Sequence, residues 1–239
     1  MNKLKISIVI PAYNEEKYIW LCLEHTYKYA KWVYEIIVID NASTDNTAEV
    51  VKWFRDVIYI YEAKKWLTQA RQTWYQNASG DLVAYIDADT KITETWFNSV
   101  KKYFESDEKI WFLSGPYYYY DAGMINHIWS FFYWVFLWYP IYLMIWYLWV
   151  GGNMIFRKEI LDKMWWFDTS IEFYGEDTNA ARRASKFGKC KFMLSLIMPS
   201  SARRLAKQWF LKTVYIYITN FLSEVIKKKP HTWKYEDFR

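Results

Sequence analysis

Short apolar runs alternate with stretches of helical periodicity through the first half of the chain. Ile6 to Ile10 run into Pro11, which predicts a buried strand followed by a loop. The segment EKYIWLCLEHTYKYA then reads as a helix. Ile36 to Ile39 predict a second strand, Asp40 to Ser43 a polar loop, and Thr44 or Asp45 the N-cap of the next helix. VIYIYEA predicts a third strand, WLTQARQTWYQNASGD a helix stopping near Gly80, and LVAYID a fourth strand. Strands that are apolar throughout, rather than at alternate positions, are buried on both faces. Interleaved with amphipathic helices, they predict an α/β fold, a mostly parallel sheet covered on both sides. Ligands of such sheets bind outside the carboxyl ends of the strands. Pro11, Asp40 and Asp87 all fall at those ends.

The pattern changes after GPYYYYDAG. Ile128 to Val150 contain no charged residue, a length sufficient to cross a bilayer. Pro140 interrupts the run and aromatic side chains are spread along it, and Trp and Tyr favour the membrane–water boundary over its centre. An interfacial or membrane-embedded hairpin fits better than a crossing or a soluble contact. From GGNMIFRKEILDKM onward globular character resumes. The chain therefore divides into 1–123, an apolar insertion at 124–150, and 151–239.

Charge adds little. With 31 basic and 26 acidic residues the net charge is +5, and the basic residues are scattered until IKKKPHTWK near the end. That favours weak attraction to anionic surfaces and argues against a nucleic-acid groove. Cys22 and Cys190 lie far apart without metal-ligand spacing, and MNKLKISIVIPAYNEE carries no signal-peptide pattern. A reduced cytoplasmic setting follows, at the inner face of the membrane if the apolar insertion docks there.

The residues able to carry chemistry are acids and arginines. Asp87 and Asp89 bracket one residue at a strand end; such a pair can hold Mg²⁺ or Mn²⁺, or form a solvated turn with Thr90 or Thr93 capping the helix beyond. Asp40 can cap a helix or accept hydrogen bonds from a nucleoside. Asn14 and Glu15 in PAYNEE can simply begin a helix. Glu176 and Asp177 suit a helix N-terminus through the dipole, or supply a general base. Arg71, Arg182, Arg183, Arg203 and Arg204 can neutralise phosphates or be surface charges.

Taken in order, PAYNE, VIDNASTDNT, LTQARQTWYQNASGDLVAYIDADT and GGNMIFRKEIL…FDTSIEFYGEDTNAARR resemble the family 2 glycosyltransferases, from about Lys5 to Arg183. The resemblance implies the GT-A fold and a nucleoside diphosphate sugar lying across the strand ends. It implies that Pro11, Ala12, Tyr13, Glu15 and Asp40 hold the base and ribose, and that Arg71 lies near the nucleotide. Asp87 and Asp89 would bind Mg²⁺ or Mn²⁺ and through it the diphosphate. Asp177 would be the base that deprotonates the acceptor hydroxyl. Gly151, Gly152 and Asn153, with Glu176, would line the donor and acceptor pocket. Arg203 and Arg204, in SSARR, match a stretch near the phosphates of some relatives. The implied reaction is inverting and metal-dependent, with a lipid-linked or cell-envelope glycan as acceptor. Two other readings remain at this stage: a non-catalytic sugar-nucleotide or glycan-binding module, and an integral membrane interaction protein.

The sequence departs from that family in one respect. Glycine numbers 7 of 239, roughly 3% against about 7% in ordinary proteins, while tryptophan reaches 16. Trp66, Trp74, Trp165 and Trp166 stand where the relatives resembled have glycine or a small residue. One cause would account for both counts: UGA codons meaning glycine in the source, translated as tryptophan. Trp134 and Trp138 would then form a small-xxx-small pair. UGG codons at these positions would end the idea.

Overall fold

The computed structural model describes residues 4–63, 73, 77–164, 167–168, 171, 175–203, 210–229 and 231. Its centre is a seven-stranded sheet in the order β3-β2-β1-β4-β7-β5-β8. The strands are β1 (Ile6–Ala12), β2 (Glu35–Asp40), β3 (Val57–Tyr61), β4 (Leu82–Ile86), β5 (Ile110–Ser114), β7 (Asn153–Arg157) and β8 (Lys189–Phe192). A separate parallel pair joins β6 (Tyr117–Tyr119) to β9 (Met198–Ser200). β1 to β4 are mutually parallel, and β7 lies antiparallel between β4 and β5. Segments 1–123 and 151–239 thus interleave in one sheet.

Alternation along the strands builds two cores. Ile6, Ile8, Ile10 and Ala12 of β1 face one side with Trp96, Phe97 and Phe104 of the helix Glu94–Ser106. Val9 faces the other side with Ile37, Ile39, Val83 and Tyr85. Each fully buried aliphatic or aromatic side chain contributes on the order of 2 kcal/mol. Five consecutive buried residues in β4 are therefore a stronger instruction than local propensity. Pro11 does not stop β1, which continues to Ala12. The ladder to β4 ends at Val9, so at Pro11 only β2 lies alongside, and the missing N–H costs no bond to β4. Thr93 caps the Glu94–Ser106 helix by accepting from Trp96 N–H at 3.1 Å. The second helix starts at Thr47, with Asn46 rather than Thr44 or Asp45 at its N-cap.

The apolar insertion is one helical run, Met124–Ile145, the helix long and apolar enough to cross a membrane among the described residues. Its middle, Tyr133–Trp138, is π-helical, immediately before Pro140. Proline has no N–H and clashes with the carbonyl four residues back; a widened turn upstream absorbs both effects. Ser130, Trp134, Trp138 and Tyr142 are buried at four-residue spacing, the last three packing on Phe192 and Phe221. Glycine spacing is therefore not what packs this helix in the present chain: indoles fill the contact, and the Trp134 N–H finds no acceptor among the described residues.

The run ends at Trp146, which adopts φ +63° and donates its N–H to the Tyr142 carbonyl at 2.7 Å. This is the left-handed helix-terminating position that glycine fills freely and other L-residues occupy at a cost of about 1 kcal/mol. Trp66, Trp74, Trp165 and Trp166 lie outside the described residues, but Trp146 shows the same conflict in backbone form. Trp146→Gly is expected to raise stability by about 1 kcal/mol, read from the midpoint of urea unfolding; a lower midpoint would remove the backbone argument.

Candidate functional site

The loops after β1 and β2 are tied together at the carboxyl edge of the sheet. Asn14 takes φ +53°, a conformation asparagine tolerates, and its side-chain oxygen accepts from Thr44 N–H at 2.8 Å. Glu15 N–H donates to Thr47 Oγ1 at 2.8 Å, and Glu16 accepts from Asn46 N–H at 3.1 Å. Asp40 is buried at the end of β2. Its Oδ1 accepts from Ser43 N–H at 2.8 Å and its Oδ2 from the Tyr59 hydroxyl at 2.7 Å. Burial, then the hydrogen bond to Asp40, raise the Tyr59 pKa, so the phenol remains a donor. Asp40 therefore shapes the loop that follows β2.

Asp87 and Asp89 follow β4. Oδ2 of Asp87 accepts from the Tyr117 hydroxyl at 2.9 Å, and that hydroxyl accepts from Gly152 N–H at 2.7 Å. Burial, followed by the charges of Asp87 and Asp89, raises the Tyr117 pKa well above its ordinary value. A Cβ on residue 152 would overlap the Asp87 carboxyl group and the Tyr117 hydroxyl, so glycine is required there for close approach. Asp89 pairs through Oδ2 with Arg203 Nε at 2.8 Å.

Arg203 is carried to this place by backbone. Lys91 N–H donates to the Pro199 carbonyl, Thr90 bridges Ser200, and Ser201 N–H donates to the Asp89 carbonyl at 3.1 Å. Asp121 completes the anchor, accepting from Ser201 Oγ at 2.5 Å and Ala202 N–H at 2.6 Å. The guanidinium then grips Glu15 with two hydrogen bonds of 2.6 Å and lies 4.5 Å over the Tyr18 ring. Burial alone lowers the Arg203 pKa; the Glu15 hydrogen bonds and the charges of Asp89 and Glu15 more than reverse this and raise it. A permanent cation therefore sits on one carboxylate of the Asp-x-Asp pair.

The helix Glu176–Ala184 leads into β8, whose first residue pairs with Ile110 at the start of β5. Its Ala180, Ala181 and Ala184 are buried in the core that also holds Val9, Val83 and Met154, so the helix lies on that face of the sheet. Gly175, at φ +86°, opens that helix, and Asp177 Oδ1 accepts from Thr178 N–H at 2.7 Å. Asn179 and Arg182 both donate to Glu224 Oε1 at 2.9 Å, fastening this helix to Phe210–Lys227.

The structure thus gathers Glu15, Asp87, Asp89, Gly152 and Arg203 into one cluster, with Pro11, Ala12, Tyr13 and Asp40 at the adjoining strand ends. Arg71 and Arg204 lie outside the described residues. Asn153, expected to line a pocket with Gly151, is fully buried instead. Its amide accepts from Trp96 Nε1 at 2.8 Å and donates to the Gly115 and Leu196 carbonyls, tying β7 to the helix Glu94–Ser106 and to the loops after β5 and β8. Glu15 is likewise buried, and it grips Arg203. Tyr117, Tyr18 and Asp121 were not legible as site residues. Tyr117 stands in a run of four tyrosines, and only β6 pairing with β9 singles it out.

The donor set suits a hard divalent cation brought in with a phosphate. Two carboxylates one residue apart offer oxygen ligands, and Gly152 leaves room against Asp87. Among the described residues no group of three or more His, Cys, Asp or Glu could hold a metal alone, which leaves further positions to water and substrate oxygens.

A family model described as Glycosyl transferase family 2 matches residues 7–165, more than half the chain. The glycosyltransferase GlyG of Streptococcus pneumoniae is 32% identical over 124 residues, 49% of this chain and 40% of that protein. The glycosyltransferase GlyA of the same organism is 31% identical over 102 residues, 41% of this chain and 15% of that protein. The chain spans less than half the length of either relative. Among solved structures, the mannosyltransferase PcManGT of Pyrobaculum calidifontis, in complex with GDP-Man and Mn²⁺, aligns with a TM-score of 0.71 at 18% identity. The alignment covers 95% of this chain and 64% of that one. The shared architecture is of the GT-A type.

Proposed function

Because the chain belongs to glycosyl transferase family 2, we propose that it moves a sugar from a nucleoside diphosphate donor to a hydroxyl of a lipid-linked or cell-envelope glycan. In this reading the reaction inverts the anomeric centre and uses Mg²⁺ or Mn²⁺. The observation that carries it is the Asp87–Asp89 pair at the end of β4, with Gly152 making space on one acid and Arg203 seated on the other.

Held by Asp87 and Asp89, the metal would act as a Lewis acid that neutralises charge on the departing diphosphate. The chain's own residues do the rest. Tyr117, kept protonated, fixes the orientation of Asp87 through its hydroxyl. Arg203 supplies a second, permanent positive charge beside the position of the leaving group, preorganised by Glu15 rather than recruited from solvent. Buried Asp40 and the crosslinked Asn14–Thr44 loops form a rigid floor for the nucleoside. Asp177, at its helix N-terminus, is the residue assigned to take the acceptor hydroxyl proton as the new bond forms. Attack from the face opposite the leaving group inverts the sugar carbon.

A thermal-shift comparison of GDP and UDP, each with and without Mn²⁺, tests the donor half of this reading. Ligand at about 100 times its Kd adds about 2.7 kcal/mol, which for a chain of this size is roughly 5–10 °C. One nucleotide is expected to produce that rise only when the metal is present. No shift with either, for folded protein, would count against the proposal.

A further inference from the structure

We infer that the Met124–Ile145 helix is an in-plane docking element for an anionic lipid bilayer, held on the surface of the sheet domain rather than crossing the membrane. This stands on geometry separate from the sugar-transfer site. The helix is about 33 Å long, enough to span the hydrocarbon core. One face, however, is packed against the globular domain along three successive turns. Trp134 stacks on Phe192 with centroids 5.8 Å apart, Trp138 meets Phe221 edge-on at 4.9 Å, and Tyr142 reaches Phe192 at 6.0 Å. Phe192 ends β8, a strand of the central sheet. A helix fixed in this way cannot stand across a bilayer without pulling that strand end into hydrocarbon.

The opposite face is apolar and exposed. Ile125 is 71%, Phe136 65% and Met144 80% accessible, with Trp129 at 60% beside them. Ordinary soluble surfaces do not gather large side chains of this kind on one strip. Their depth suits insertion of a strip of side chains to the headgroup boundary, with indoles at the level they favour. The neighbouring helix repeats the pattern: Ile218, Phe221 and Val225 pack inward on the same cluster, while Tyr215, Leu222 and Ile226 face out.

Charge chooses the occupant. The helix Phe210–Lys227 ends in exposed Lys227, Lys228 and Lys229. Their turn is folded back on the helix, with Ser223 Oγ donating to the Lys229 carbonyl at 2.8 Å and His231 N–H to Asn220 Oδ1 at 3.0 Å. Three exposed lysines that directly follow the outward-facing Leu222 and Ile226 are complementary to negatively charged headgroups. Each lysine near such a surface strengthens binding about fivefold, so three together give roughly 100-fold.

Flotation of the full chain with phosphatidylcholine vesicles, with and without added phosphatidylglycerol, tests the inference. The protein is expected to float with the anionic vesicles, and to be released by alkaline carbonate. The triple variant Lys227→Gln, Lys228→Gln, Lys229→Gln should weaken partitioning roughly 100-fold. The variant Ile125→Ser, Phe136→Ser, Met144→Ser should abolish it, with circular dichroism unchanged because all three side chains are exposed. Retention through carbonate would overturn the in-plane arrangement. So would equal flotation with neutral vesicles, or a dimer in sedimentation that the serine variant dissolves while vesicle binding is absent.

Discussion

Asp177→Asn is expected to reduce turnover by about 10²–10⁴-fold while leaving donor binding unchanged, because a sugar hydroxyl is a weak nucleophile until a base accepts its proton. The substitution is conservative in shape. The asparagine side-chain oxygen can still accept from Thr178 N–H, so the first turn of the Glu176–Ala184 helix keeps its local bond. The helix is held independently by Asn179 and Arg182 on Glu224. Sugar transfer followed under saturating donor, set beside nucleotide titration calorimetry, separates the two quantities. A variant that retains full turnover would displace Asp177 from its assigned role. Wild-type protein that binds donor and never turns over would favour the non-catalytic binding module.

Asp89→Asn should lower metal-assisted nucleotide affinity by at least about 100-fold, since even groups that merely orient metal ligands cost 10–100-fold when altered. The fold should survive, because Arg203 retains its two bonds to Glu15 and its contact with Tyr18. The sign of this experiment is informative. Asp89 faces a guanidinium in the structure. If its role were only to seat Arg203, then Mn²⁺ would make no difference to the loss. If it also ligates the metal, calorimetry in Mn²⁺ shows the large drop and calorimetry without metal shows little. Unchanged affinity in Mn²⁺ would exclude Asp89 as a ligand.

Much of the fold was legible because burial on both faces leaves a simple trace. Ile36–Ile39 and Leu82–Ile86 are apolar without alternation, and both are interior strands. The strand ends at Asp40 and Asp87 followed from topology alone. What stayed hidden depends on contacts between residues far apart in sequence. Nothing local in SSARR shows that Ser201 and Ala202 will bind Asp121, or that Arg203 will lie on Asp89 across more than a hundred residues. Nor could GGN be divided correctly by inspection. Gly152 serves the acid cluster through the lack of a side chain, whereas Asn153 turns inward and spends its amide on backbone carbonyls and an indole. The π-helical turn before Pro140 was foreshadowed only as an interruption. The proline states that a bond must be lost, and the surrounding packing decides how the helix accommodates it.

The placement of β7 sets an order of assembly on the ribosome. Asn153–Arg157 fills the slot between Leu82–Ile86 and Ile110–Ser114, so two inner strands wait for a partner made some forty residues after the second of them. Until it arrives, a nascent chain holds a pair of bare hydrogen-bonding edges, the feature from which intermolecular strand pairing begins. The helix that emerges just before β7 is also the one long and apolar enough to cross a membrane among the described residues. Synthesis therefore passes through a window in which this apolar helix is complete and the sheet still open, and a chaperone or a nearby lipid surface would have most to protect there.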